Sequence, residues 1–247
     1  MNWLKQHHRA LWRFYREALG ESLLITAAAF VIICLLAFGA GLLNKSIPAM
    51  AMDYIQRIMD IKDIVTDEGG IDLAALFGNN VRAAAVSVLY GFIPFLYLTA
   101  LALGMNAIIL GIFAAYFVNT GTSLLVYFAG ILPHGVFELS ALLLAFACGF
   151  LLCKRTTQYV RKNTKGMMKP LMLDLLRVFV MHILPLLAVA AVVETFVTPP
   201  LWRFLCDIIR PEAVKGESYN ERECDTDPRH LRQHGVYRGE DATASQR

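Results

Sequence analysis

The long apolar segments of this chain contain few charged residues. Only 17% of its 247 residues are charged, whereas 57% are hydrophobic. The charges concentrate in residues 1–21, 45–72 and 154–177 and beyond residue 203. The apolar runs between these blocks are long enough to cross a bilayer, which takes roughly 20 residues. This distribution excludes a soluble globular chain and predicts an all-α polytopic membrane protein with about five transmembrane helices.

Several chemical signatures are also missing. No glycine-rich phosphate loop is present, so no nucleotide site is predicted. The five cysteines have no C-x-x-C or other metal-ligand spacing. Cys34, Cys148 and Cys153 lie within apolar runs, as packing residues do. Cys206 and Cys224 lie in the C-terminal region, where they would form a disulfide only in an oxidising compartment.

The N-terminal region indicates which side of the membrane the chain starts on. Residues 1–21 carry a basic face and an apolar face, a pattern typical of an interfacial helix; a solvated juxtamembrane helix is the alternative. Ser22 to Leu43 is longer than the 7–15 residues, roughly, of a signal-peptide core, so we expect a retained first crossing. The positive-inside rule then predicts a cytoplasmic N-terminus in the inner (cytoplasmic) membrane.

The charges of the later loops extend this topology. Residues 44–80 carry three basic and six acidic residues, which predicts an outer loop, whereas residues 154–169 carry six basic and no acidic residues. The second segment is therefore predicted to be a cytoplasmic loop, and five crossings leave the C-terminus outside. The five predicted crossings are residues 22–43, 81–103, 106–119, from near 134 to 153, and 171–197. A kink is predicted at Gly91 and Pro94 within the second crossing, and a turn at 104–106 before the third.

The predicted regions are residues 1–21 as a cytoplasmic basic amphipathic helix, 22–199 as the transmembrane domain with outer loop 44–80 and cytoplasmic loop 154–169, and 200–247 as an interfacial helix followed by a disordered tail.

The segment from Pro133 to Glu138 stands out because it places two titratable side chains in apolar surroundings. Pro133 and Gly135 predict a helix break, and we expect a broken or re-entrant segment near residues 119–138. His134 and Glu138 are four residues apart and would share one face of a continued helix. Ionisable groups at membrane depth tend to be paired and functional.

The predicted topology brings further polar residues to the same depth near the outer leaflet. The predicted cluster comprises Asn79, Asn80, Arg82, Asn119, His134, Glu138 and Glu194. Three interpretations stay open. In the first, the cluster is structural and Arg82 neutralises a glutamate. In the second, it binds a ligand or a lipid headgroup. In the third, His134, Glu138 and Glu194 form a metal site. His182 lies about 18 Å from Glu194 along a straight helix and is not a fourth member. Ser140 has no nearby base, so hydrolytic catalysis is not indicated.

Four short motifs resemble the stage II sporulation protein M family of integral membrane proteins. The motifs are Phe77-Gly78-Asn79-Asn80, Asn106 with Gly111, the block Pro133-His134-Gly135-Val136-Phe137-Glu138-Leu139, and the segment from Ala190 to Pro199. The resemblance implies a mostly five-helix protein. In endospore formers the namesake works at the engulfing septum with two partners that degrade peptidoglycan, which implies a scaffold role. No catalytic residue comes with the resemblance.

We therefore expect a non-enzymatic membrane scaffold or recruiter for a cell-envelope (peptidoglycan) remodelling complex. The alternative is a transport or lipid-handling protein with a polar site near the outer leaflet, and the second alternative is an intramembrane metallohydrolase. The expected partners are membrane lipids and envelope-remodelling proteins, without nucleic acid and without a cofactor. Small-residue pairs such as Ala37/Gly41 and Ala145/Gly149 permit close helix packing within one chain or in a homo-oligomer.

Overall fold

A computed structural model describes residues 11–51, 72–162, 168–198 and 200–201. Within these residues, five helices are long and apolar enough to cross a membrane, and there is no β-strand. The all-α polytopic prediction is confirmed. Residues 52–71 of the predicted outer loop, the predicted interfacial helix after residue 201 and the predicted C-terminal tail lie outside the described residues. Residues 46–51 of the loop are helical. The five helices are α1 (Leu11–Leu43), α2 (Leu73–Phe92), α3 (Thr99–Asn119), α4 (Leu124–Lys162) and α5 (Met168–Phe196).

Helix α1 begins well before the apolar run that predicted it. The helix is continuous from Leu11 through a π-helical turn at Tyr15–Leu19 into the apolar segment Gly20–Leu43. Leu11, Phe14 and Leu19 are buried in the helix bundle, so the apolar face of this segment packs against protein. Its described part therefore extends the first crossing and is not a separate helix.

The second and third crossings differ from the prediction, which placed them at 81–103 and 106–119. The first of them is α2, where the Asp72 carboxylate caps the helix by accepting hydrogen bonds from the backbone N–H groups of Ala74 (2.8 Å) and Ala75 (3.2 Å). It ends before Ile93, which is extended because the residue before a proline disfavours helical dihedrals. The chain then turns through Phe95 and Tyr97, both with positive φ, and α3 is a full crossing of 21 residues.

The predicted helix break at Pro133 and Gly135 is wrong. After a turn at residues 120–123, α4 runs without interruption for 39 residues with Pro133 inside it. A proline within a helix removes the hydrogen bond to the carbonyl four residues earlier, which here belongs to Ala129. Transmembrane helices tolerate this loss because neighbouring groups and local adjustments satisfy the freed carbonyl. The irregular segment is thus limited to the four-residue turn.

Helix α4 is the centre of the bundle. It packs against each of the other four helices, and 61% of its most apolar window is buried, compared with 17–28% in the other helices. Helices α1 and α3 form the most extensive remaining pair, and α5 packs on α4 and α2. The bundle consequently has two ends, one near the α3–α4 turn and one near Lys154.

Glycine residues set the closest helix contacts. A Cβ atom on Gly111 of α3 would collide with the Cys34 carbonyl oxygen of α1, and one on Gly149 of α4 would collide with the Ser87 carbonyl oxygen of α2. A Cβ atom on Gly41 would lie 2.6 Å from that of Ala115. The small-residue pairs noted in the sequence therefore have partners within one chain.

Candidate functional site

The structure brings together the three residues of the predicted metal option. His134 and Glu138 lie one turn apart on the same face of α4, and Glu194 lies near the end of α5, which packs against α4. One ligand atom from each side chain lies within 4.8 Å of the other two, and all three residues are partly buried. These three residues are called the HEE cluster below. Its most distant members in the chain, His134 and Glu194, are 60 residues apart.

The HEE cluster lies near one boundary of the apolar layer. Twenty residues separate His134 from Lys154, the first cation after the apolar part of α4. At 1.5 Å per residue these positions are about 30 Å apart along the helix, which is the thickness of a bilayer hydrocarbon core. When Lys154 lies at one membrane face, the cluster therefore lies at the opposite one.

A hydrogen-bonded residue supports the histidine. Nδ1 of His134 lies 3.2 Å from Oγ1 of Thr198. The Thr198 hydroxyl donates in turn to the Val193 carbonyl, at 3.3 Å. Thr198 was not predicted as a site residue, although it lies in the segment from Ala190 to Pro199 that carries part of the family resemblance. The contact depends on where the end of α5 packs.

Of the four other residues of the predicted cluster, Asn119 and Arg82 are placed differently from the prediction. Asn119 donates from Nδ2 to the Gly41 carbonyl at 2.9 Å, so it satisfies one of the last carbonyls of α1. Arg82 is exposed, and it lies midway along α2 because that helix starts at residue 73. Asn80 is buried, with 8% of its surface exposed, and its Nδ2 has no partner within the described residues. Asn79 is partly buried on the same helix.

In the part of the chain that the structure describes, the two glutamates of the HEE cluster form no ion pair with a basic side chain. An ion pair is formed there between Arg177 and Asp174. The predicted neutralisation of a glutamate by Arg82 is therefore not formed. Two carboxylates and an imidazole are suited chemically to bind a cation, and imidazole with carboxylates is a ligand set used by divalent metals. The same groups can also accept hydrogen bonds from a polar ligand.

A second polar contact, which was not predicted, joins the first turns of α1 to the middle of α5. The Tyr15 hydroxyl is 3.2 Å from Nδ1 of His182, and the two rings pack edge to face with centroids 5.4 Å apart. Each residue belongs to a π-helical turn, Tyr15–Leu19 in α1 and Phe179–Ile183 in α5. With Leu11 and Trp12 they line an open surface pocket of about 270 Å³. The sequence feature that could have indicated this contact is His182, a single histidine within an apolar span.

The five-helix bundle and its polar cluster define a polytopic membrane protein with a partly buried acidic site at one end. The chain belongs to the Stage II sporulation protein M family, whose model matches residues 22–199. It is also similar to an uncharacterized protein of Methanocaldococcus jannaschii, with 28% identity over 178 residues that cover 71% of this chain and 97% of the relative. No solved structure matches.

Proposed function

We propose that the chain is a non-enzymatic scaffold of the inner (cytoplasmic) membrane that recruits proteins for cell-envelope (peptidoglycan) remodelling. In this proposal the N-terminus and the basic segment 154–169 face the cytoplasm, following the positive-inside rule. The C-terminus faces outside. The outer segments 50–80 and 201–210 are the surfaces that contact partner proteins.

One observation favours a scaffold over a transporter: glycines at the interior of the bundle are in direct contact with neighbouring helices. A Cβ atom on Gly91 would meet the Gly149 carbonyl oxygen, and one on Gly111 would meet the Cys34 carbonyl oxygen. Gly130 is buried as well. A water-filled path to the midplane would separate helices at such positions, whereas contact between backbones leaves no room for one. Family membership supports the same proposal.

Site-specific photocrosslinking in cells tests the scaffold proposal. A photoreactive amino acid is placed at Ile58, in the proposed outer partner segment 50–80, and at Leu35 as the matched control. Leu35 is 62% exposed on an apolar stretch of α1, where lipid is the expected neighbour. Capture of peptidoglycan-degrading enzymes at Ile58 and not at Leu35 supports the proposal. Equal capture at both positions, or lipid adducts alone at both, contradicts it.

Lipid handling is a second candidate, and the pocket beside Tyr15 and His182 favours it. Its lining combines apolar side chains with a hydroxyl and an imidazole, and Trp12 is 62% exposed beside it. Reconstitution into vesicles with headgroup-labelled lipid separates the two functions. Accelerated movement of labelled lipid between leaflets that is lost in Tyr15→Phe and His182→Ala supports lipid handling, and a rate equal to that of empty vesicles contradicts it.

Water accessibility of the core gives an independent comparison. In a background without natural cysteines, single cysteines replace Ala107 and Ala145, both fully buried, and Ser123, an exposed residue of the α3–α4 turn. The scaffold proposal expects labelling by a water-soluble maleimide at Ser123 alone. Labelling at Ala107 or Ala145 would instead indicate a path through the bundle.

A further inference from the structure

We infer that the HEE cluster, formed by His134, Glu138 and Glu194, binds a divalent transition-metal ion, with zinc as the first candidate. The inference goes beyond the scaffold proposal and does not depend on it. It rests on four features of the described residues: the distances between the ligand atoms, the charge of the site, the hydrogen bond that orients the histidine, and the match of the ligand set to the metal.

The distances are close to those of a bound ion. The three ligand atoms lie within 4.8 Å of one another. Ligand atoms that bind zinc at about 2.0–2.2 Å lie roughly 3.3–3.6 Å apart in a tetrahedral arrangement. Binding therefore requires these ligand atoms to approach one another by up to about 1.5 Å, which rotation about the flexible glutamate side-chain bonds supplies. His134 and Glu138 are held in register by the continuous helix α4.

When both glutamates are ionised, a divalent ion matches the charge of the site. Burying two ionised carboxylates without a cation is costly, and within the described segments neither glutamate pairs with a basic side chain. One divalent cation neutralises the two carboxylates and leaves no net charge near the apolar layer. A monovalent cation or a single arginine would leave one carboxylate uncompensated.

The hydrogen bonds at Thr198 favour the histidine tautomer that binds metals. The Thr198 hydroxyl uses its only proton on the Val193 carbonyl, so its oxygen accepts a hydrogen bond from Nδ1–H of His134. The second ring nitrogen, Nε2, then carries a lone pair that can bind the ion. Metal-binding histidines generally donate their other ring N–H to such an acceptor, so Thr198 acts as a positioning residue.

The ligand set distinguishes among divalent ions. Mg²⁺ and Ca²⁺ are bound by oxygen ligands, whereas imidazole combined with carboxylates suits zinc and neighbouring transition metals. Three protein ligands leave a fourth coordination position open to water or to a polar group of another molecule.

The test measures zinc binding by the purified full-length protein in detergent. The protein is stripped with a chelator, equilibrated with zinc and assayed by elemental analysis beside His134→Ala, Glu138→Gln and Glu194→Gln. We expect about one zinc per chain in the wild type and none in the three variants. His182→Ala is the matched histidine control and should retain the ion. Wild-type protein without stoichiometric zinc, or undiminished zinc in the three variants, overturns the inference.

Thr198 variants keep the test decisive if a ligand variant fails to fold. Thr198→Val removes the acceptor for His134, whereas Thr198→Ser retains it. Loss of such a supporting partner lowers metal affinity by roughly 10- to 100-fold. We therefore expect a weaker zinc affinity in Thr198→Val and a near wild-type affinity in Thr198→Ser. Equal affinities in the two variants overturn the role assigned to Thr198.

Discussion

The Tyr15 hydroxyl of α1 and Nδ1 of His182 in α5 lie 3.2 Å apart, although the two residues are 167 positions apart in the chain. Each partner belongs to a π-helical turn. A π-turn adds one residue to a helix and is often found at functional sites. The extra residue changes the direction in which the following side chains point, and residues of both turns form this contact between α1 and α5.

We predict that Tyr15 and His182 are energetically coupled. Hydrogen bonds between transmembrane helices have coupling free energies of about 0.6 kcal/mol on average and about 1.7 kcal/mol at most. A double-mutant cycle of Tyr15→Phe and His182→Ala, based on free energies of unfolding in mixed detergent micelles, should give a value in this range. Tyr116→Phe is the control, because the Tyr116 hydroxyl has no hydrogen-bond partner within the described part of the chain. A coupling of zero would show that the two residues are merely adjacent.

Two glycines of α3 provide a matched test of the α1–α3 interface. A methyl group on Gly111 would collide with the Cys34 carbonyl oxygen, whereas one on Gly104 would meet no atom within 4 Å. Gly111→Ala should lower the free energy of unfolding by about 1–3 kcal/mol through overpacking. Gly104→Ala should be neutral or stabilising by up to about 1 kcal/mol, since alanine has the higher helix propensity. Equal effects of the two substitutions would contradict the close packing at Gly111.

The amide of Asn119 should protect the end of α1. Its Nδ2 donates to the Gly41 carbonyl, one of the last carbonyls of α1, which lack partners within their own helix. Asn119→Ala should accelerate backbone hydrogen exchange near the end of α1 and cost about 0.5–1.5 kcal/mol. Asn106→Ala is the control, because Nδ2 of Asn106 donates to the Ala102 carbonyl of its own helix. Similar exchange at the end of α1 in both variants would rule out this cap.

Pro133 should be dispensable for the fold. The helix continues through it, so alanine at this position would supply the backbone N–H that proline lacks. Proline inside a helix costs about 3 kcal/mol, and we expect Pro133→Ala to maintain or raise the unfolding temperature in detergent. A large fall in this temperature would show that proline stabilises a local bend.

The sequence predicted the number of crossings and the components of the HEE cluster for physical reasons. Apolar length identifies a crossing, and the i, i+4 spacing places His134 and Glu138 on one face whenever the helix continues. Glu194 could be added because its helix ends at the same depth. These inferences depend only on helix geometry and on the length of each span.

The errors came from features that depend on tertiary structure. Pro133 predicts a helix break, whereas α4, packed against the surrounding helices, is continuous through it. The turn between α2 and α3 was placed at 104–106, because glycine and asparagine resemble a turn, whereas Pro94 was the stronger signal through its effect on Ile93. That shift of α2 also misplaced Arg82. Thr198 and Tyr15 were missed because their contacts join distant helices.

The chain order of α4 and α5 has a consequence for the biogenesis of the protein. Glu138 is synthesised 56 residues before Glu194, which corresponds to roughly 3–11 seconds at about 5–20 residues per second. During this interval α1 and α3 can already pair, but α4 enters the membrane without the helix that packs beside its His134–Glu138 face. The last helix therefore completes both the bundle and the cluster. A chain that stalls before α5 would expose a carboxylate to lipid, a defect that membrane quality control can recognise.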